Sequence, residues 1–155
     1  MEFTDARQLA LDLLAAHGLQ DWHFAWNRRK RSLGLCRYAE KRIELSLYFV
    51  ERNPIGPIRE TILHEIAHAL AGEAAGHGPA WKAVCVRIGC KPERCDNGTA
   101  IMPRGRWNAR CPSCGKIYSR HRRPQKHARY WCRHCGPTRG PVVFTRSALE
   151  ATPST

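Results

Sequence analysis

Residues 61–69 read Thr61-Ile62-Leu63-His64-Glu65-Ile66-Ala67-His68-Ala69, and residues 76–81 read Gly76-His77-Gly78-Pro79-Ala80-Trp81. Apolar residues at Ile58, Ile62, Leu63, Ile66, Ala67, Ala69 and Leu70 recur at helical spacing, predicting a helix from about Ile58 to Ala74. His64 and His68, four residues apart, fall one turn apart on one face, so both imidazoles reach a single metal ion. Glu65 sits beside them, close enough to hold a metal-bound water. The chemistry that fits is zinc hydrolysis, in which the metal acidifies its water and polarises a carbonyl while the carboxylate relays a proton. A catalytic zinc needs a third protein ligand and an open position. His77 is the favoured candidate, because the segment before it lets the chain leave the helix and fold back. Glu73 and Glu93 are the alternatives; on a continuing helix Glu73 would lie about 140° around from His68. A glycine three residues after the second His, with a third His three beyond it, would mark another zinc-peptidase class. Those positions are Ala71 and Ala74, which excludes it.

Upstream, Thr4 or Asp5 caps an expected helix running to about His17, with Gly18 as its stop. Residues 22–26, 33–38 and 43–47 alternate apolar and polar side chains and read as three short antiparallel strands, with 27–32 as a turn. Pro79 suits the first turn of a second helix over about 80–88. Residues 89–103 read as loop, broken by Pro92, Asn97-Gly98 and Pro103.

Beyond residue 103 come Cys111-x-x-Cys114 and Cys132-x-x-Cys135, with 17 residues between the pairs. That is the spacing of a closed four-thiolate structural zinc site. Gly115 and Gly136 permit the sharp turn after each pair, and His127 and His134 read as bystanders. Cys85 reads as a small buried hydrophobe, and Cys36, Cys90 and Cys95 show no pairing. The metal substitutes for a core that about 40 residues cannot build alone. The divisions expected are 1–103, 104–146 and a tail, 147–155.

The 155 residues carry 26 Lys+Arg and 13 Asp+Glu, a net charge of +13. Residues 1–96 hold 14 bases and 12 acids (+2), and residues 97–155 hold 12 bases and one acid (+11). A near-neutral body is thus followed by a strongly basic module, whose default partner is nucleic acid. Arg120, Arg122, Arg123, Lys126 and Arg129 alternate with Tyr130, Trp131 and other aromatics, a mixture that neutralises phosphates and stacks on exposed bases. A second basic run, Arg28-Arg29-Lys30-Arg31, reads either as an extension of that surface or as a solvated turn. The N-terminus lacks the basic and apolar regions of a signal peptide, and no apolar run has membrane-spanning length. An intracellular place is expected: cytoplasmic and nucleoid-associated, or nuclear in a eukaryote. Eight cysteines there are metal ligands sooner than disulfides.

Taken together, residues 31–38, 42–46, 61–69 and 76–81 and the terminal Cys-x-x-Cys pairs resemble the SprT-like zinc metallopeptidase family, which includes the Spartan proteases, in its compact form with a C-terminal zinc ribbon. The likeness spans about residues 22–146. It implies an α+β fold, a zincin-like domain of helices and a three-stranded antiparallel sheet followed by a small β zinc ribbon. It also implies that His64, His68 and His77 bind a catalytic zinc and that Glu65 is catalytic. Spartan-like members are DNA-dependent proteases that degrade proteins crosslinked to DNA, so the implied partners are DNA and the proteins bound to it; the aromatics of the basic segment point to DNA that is single-stranded or has exposed bases. The competing expectation is a non-catalytic, zinc-held nucleic-acid-binding or regulatory protein on the same scaffold.

Overall fold

The computed structural model describes residues 2–93 and 100–147. Cys95, the Asn97-Gly98 breaker and residues 148–155 of the tail lie outside them. The chain is a mixed α+β protein of two compact units, Met1–Pro103 and Arg104–Thr155.

The first unit runs α1 (Phe3–Ala16), β1 (His23–Asn27), β2 (Gly34–Arg37), β3 (Arg42–Ser46), α2 (Leu47–Arg52), α3 (Ile55–Ala71) and α4 (Pro79–Ile88), with a 3-10 turn at Glu73–Ala75. Helix α1 begins earlier than the expected Thr4/Asp5 cap, with Glu2 in the capping position. The Phe3 ring packs edge-on against Trp26, 5.5 Å between centroids, which draws the first turn onto the sheet.

The sheet corrects the antiparallel expectation. Its order is β1-β3-β2, with β1 and β3 parallel and only β2 and β3 antiparallel. The physical reason is burial. Ile43 and Leu45 of β3 are fully covered beneath the helices, while Glu44 and Ser46 are buried on the opposite face. A strand covered on both faces takes the centre, and the 28–33 loop carries the chain past it instead of turning back on β1. Alternating hydrophobicity identifies a strand but not its neighbour or direction.

Leu47, expected to end β3, starts α2, which buries Phe49 and Val50. Six residues are too few to show a helical period. At the C-terminus of α2, the buried Asn53 donates from Nδ2 to the Phe49 carbonyl (2.6 Å) and the Ile101 carbonyl (2.8 Å). Its Oδ1 accepts from the Ile101 amide at 2.8 Å. One side chain therefore ties residue 101 back to the body. Helix α3 stops at Ala71, three residues short of the expected Ala74, because Gly72 turns to φ 83°. Ile58, Ile62 and Ile66 of α3 bury against Ala6, Ala10 and Leu14 of α1 and against the sheet. An adjoining face of α3, through Leu63 and Ala67, packs on Trp81 and Cys85 of α4.

The second unit contains β4 (Trp107–Arg110), β5 (Ile117–Arg120), β6 (Tyr130–Cys132), a short α5 (Gly136–Arg139), β7 (Gly140–Val142) and β8 (Thr145–Arg146). One antiparallel sheet has the order β5-β4-β8, and β6 pairs antiparallel with β7. Its buried core is small: Ala109, Cys111, Cys132 and Val142, with Tyr118, Tyr130 and Phe144 alongside. Among the described residues, no helix is long and apolar enough to cross a membrane.

Candidate functional site

A cleft of about 730 Å³ opens in the first unit between the β2 edge, residues 31–36 with Tyr38, and the face of α3 that carries His64, Glu65 and His68. His77 and Met102 complete its lining. Gly72 breaks α3, the 3-10 turn follows, and Gly76 at φ 49° reverses the chain. This returns His77 to the helix, with its Nε2 3.1 Å from Nε2 of His64 and 3.1 Å from Nε2 of His68. Tetrahedral zinc, with Zn–N near 2.0–2.1 Å, spaces its nitrogens roughly 3.3 Å apart. The three imidazoles therefore form a group that could hold one metal ion, and Glu73 and Glu93 lie outside it.

Desolvation, reinforced by the neighbouring His68 and His77, pulls His64 down to about 3. Desolvation and His77 pull His68 down to about 4. Both rings therefore keep lone pairs for a metal at neutral pH. Beneath the three rings lies the fully buried Trp81, with centroid distances of 4.7 Å to His64, 5.3 Å to His68 and 4.7 Å to His77. It fixes their orientation by packing.

Glu65 is 6 % exposed. Burial pushes its carboxyl up to about 8, against a hydrogen bond from the backbone N–H of Cys36 that favours the charged form. Its side chain lies on Gly34 of β2: a methyl group there would come 2.7 Å from Glu65 Oε1 and 3.0 Å from Thr61 Cγ2. Gly34 adjoins the candidate site, and sequence reasoning passed it over. The signal was a glycine inside an alternating strand, which marks a close approach. Cys36 and Tyr38 also line the cleft, and burial pushes each up to about 12, so both stay neutral there.

In the second unit the four thiols of Cys111, Cys114, Cys132 and Cys135 lie within 4.8 Å of one another. Cys114 Sγ and Cys132 Sγ are 3.6 Å apart, against roughly 3.8 Å for two sulfurs on tetrahedral zinc. The Tyr118 hydroxyl donates to Cys132 Sγ at 3.0 Å, which pulls that thiol down to about 6, toward the thiolate a metal requires. Gly115 and Gly136 both take φ 72° after their pairs. At Gly140 a methyl group would come 2.8 Å from Cβ of both Cys132 and Cys135, so β7 approaches the site only through that glycine. His127 and His134 are exposed and outside the set. Among the described residues no third metal-binding group includes Cys36 or Cys90.

The basic segment forms a groove of about 720 Å³. Arg123, Lys126, Arg129, Tyr130 and Trp131 line it together with Trp107 and Phe144, two aromatics from outside the segment. Trp131 is 51 % exposed, whereas Tyr130 is half-buried and packs edge-on against Phe144. The Arg120 guanidinium sits 4.4 Å over the Tyr130 ring and 4.9 Å over Phe144. Arg122 is exposed and outside the groove lining.

A profile of the SprT-like family matches residues 5–100. Over 129 residues the chain is 28 % identical to Protein SprT of Pseudomonas savastanoi pv. phaseolicola, covering 76 % of each chain. It is equally identical over the same length to Protein SprT of Pseudomonas syringae pv. syringae. Against Protein SprT of Pseudomonas entomophila it is 25 % identical over 118 residues, 69 % of this chain and 72 % of the relative.

Proposed function

Because the chain belongs to the SprT-like family, a membership that fits a metallopeptidase-like protein, we propose that it is a zinc-dependent endopeptidase cutting proteins held on DNA, crosslinked ones included. The observation that carries this reading is the convergence of three imidazole Nε2 atoms beside a buried carboxyl in one open cleft. The zincin-like arrangement and the zinc-ribbon character of the second unit are part of the same proposal.

Zinc held by His64, His68 and His77 would supply a Lewis acid that acidifies water and polarises the scissile carbonyl. Glu65 accepts the proton of the attacking water and returns it to the leaving amine. Gly34 and the Cys36 N–H hold it in place. The open β2 edge along the cleft leaves room for an extended peptide.

The second unit delivers the enzyme. Its cations neutralise phosphates, and Trp131, Trp107 and Phe144 offer faces to unstacked bases. Binding there raises the local concentration of DNA-bound proteins at the cleft. In a bacterial cell this reading places the protein at the nucleoid.

The test is proteolysis of a DNA-binding protein by the zinc-loaded full chain, with and without single-stranded DNA. Cleavage should need DNA, stop on adding a chelator, and fall at least about 100-fold in Glu65→Gln. Zinc content and DNA affinity of that variant should be unchanged. DNA binding without cleavage under every condition would favour the non-catalytic reading.

A further inference from the structure

The loop between β1 and β2 carries four consecutive cations, Arg28, Arg29, Lys30 and Arg31, all exposed. Residues 1–96 hold 14 bases, and four of them stand consecutively in this one turn. Neighbouring cations are neutralised within the fold. Arg37 and Arg42 pair with Glu40 and Glu44, and Lys41 pairs with Asp21. Among the described residues no ion pair involves the four loop cations.

The loop backbone is nevertheless fastened. Asn27 Oδ1 accepts from the Arg29 amide at 2.9 Å. The Ser46 hydroxyl donates to the Arg29 carbonyl at 2.6 Å, and the Ser32 hydroxyl donates to the Gly34 carbonyl at 2.6 Å. The Lys30 ammonium rests 5.2 Å over the Tyr48 ring. A pinned loop with unpaired cations has its ordering cost already met before an anion arrives. The loop also reaches the cleft, because Arg31 and Ser32 line it beside Glu65 and the three histidines.

We propose that residues 28–31 form a second phosphate-binding surface, on the rim of the cleft itself, over which the DNA backbone runs. This deepens the reading of DNA-held substrates and rests on it. A backbone engaged at the rim places a protein attached to that DNA within reach of Glu65. Adjacent cations with no acid partner repel one another, and a polyanion relieves that repulsion at every one of them. An isolated acidic side chain of a peptide relieves it at only one.

The test uses the zinc-loaded full chain and a labelled 30-nucleotide DNA, titrated by fluorescence anisotropy between 50 and 200 mM salt. Three proteins are compared: the unsubstituted chain, a loop variant (Arg28→Gln, Arg29→Gln, Lys30→Gln, Arg31→Gln) and a groove variant (Arg123→Gln, Lys126→Gln, Arg129→Gln). Removing one cation–phosphate interaction lowers the slope of log affinity against log salt by roughly 0.7–0.9. With four cations removed, the slope of the loop variant should therefore be shallower by about three, with zinc content and melting temperature unchanged. The single reversal Arg29→Glu should weaken binding as well and guards against a folding defect in the quadruple variant. An unchanged slope and affinity in both loop variants, while the groove variant weakens, would overturn the rim surface alone. Stronger competition by poly-glutamate than by DNA for the rim would also overturn it, pointing to an acidic protein. No salt-dependent DNA binding by the unsubstituted chain would remove the underlying reading together with it.

Discussion

Single residues set the chemistry, and the most informative is one with no side chain. Gly34 faces the Glu65 carboxyl so closely that a methyl group would stand 2.7 Å from Oε1. Gly34→Ala must therefore move Glu65 or bend β2. A displacement of about 1 Å at a reacting group costs roughly 100-fold in rate, so kcat should fall by 10- to 100-fold while zinc content holds. Steady-state kinetics and metal analysis on the same preparation check this. Glu65 itself makes a pH prediction for the zinc-free chain. Burial raises its folded pKa from 4.5 to about 8, so between those values the folded state holds the proton more tightly than the unfolded state. Stability then falls as pH rises through that window, by at most about 1.4 kcal/mol per unit. His64 and His68, whose folded values lie near 3 and 4, oppose this only below their unfolded value near 6.5. Urea unfolding at pH 6.5 and pH 8 should show the loss, and Glu65→Gln should abolish it.

At the scale of elements, what matters is how short segments are fastened around the cleft. Two hydrogen bonds between Asn53 and Ile101, and one from Asn53 to Phe49, attach residue 101 to the end of α2, and Met102, next along the chain, lines the cleft. Asn53→Ala removes three hydrogen bonds, each worth about 1 kcal/mol, and should cost about 2–4 kcal/mol, read as a lower urea midpoint. Hydrogen exchange at residues 100–103 should rise in the same variant. Helix α3 shows a division of labour along one element. Ile58, Ile62 and Ile66 bury against α1 and the sheet, while the intervening His64 and His68 face the cleft. The break at Gly72 matters as much as the helix, because a helix continuing to residue 74 would not return His77 to the other two imidazoles.

At the scale of the whole molecule, the two units differ in what stabilises them. The first has a continuous apolar core from α1, the sheet and α3. Among its described residues the second buries four side chains, and two of these are the thiols of Cys111 and Cys132. Stripping metal with a strong chelator should therefore unfold residues 104–147 and leave the first unit folded. Amide dispersion in an NMR spectrum should collapse for one set of signals only, and Cys132→Ser should reproduce it. Much of the candidate site was legible beforehand, because its information is local. Two histidines four apart on a helix share a face wherever that helix packs, and paired Cys-x-x-Cys turns present their sulfurs by local geometry. The rest depended on segments distant in sequence. Spacing left His77, Glu73 and Glu93 open, and the turn after Gly72 is what brings His77 to the pair. Trp107 and Phe144 join the basic groove from either side of the segment that forms it. Alternation marked the strands, but their order and direction came from the burial of β3 on both faces. Sequence by itself determined which donor atoms and charges the protein carries. Local spacing also paired His64 with His68 and each Cys-x-x-Cys, but tertiary structure decided which of the distant groups meet, because strand partners, close approaches and grooves are set by packing between segments far apart in sequence.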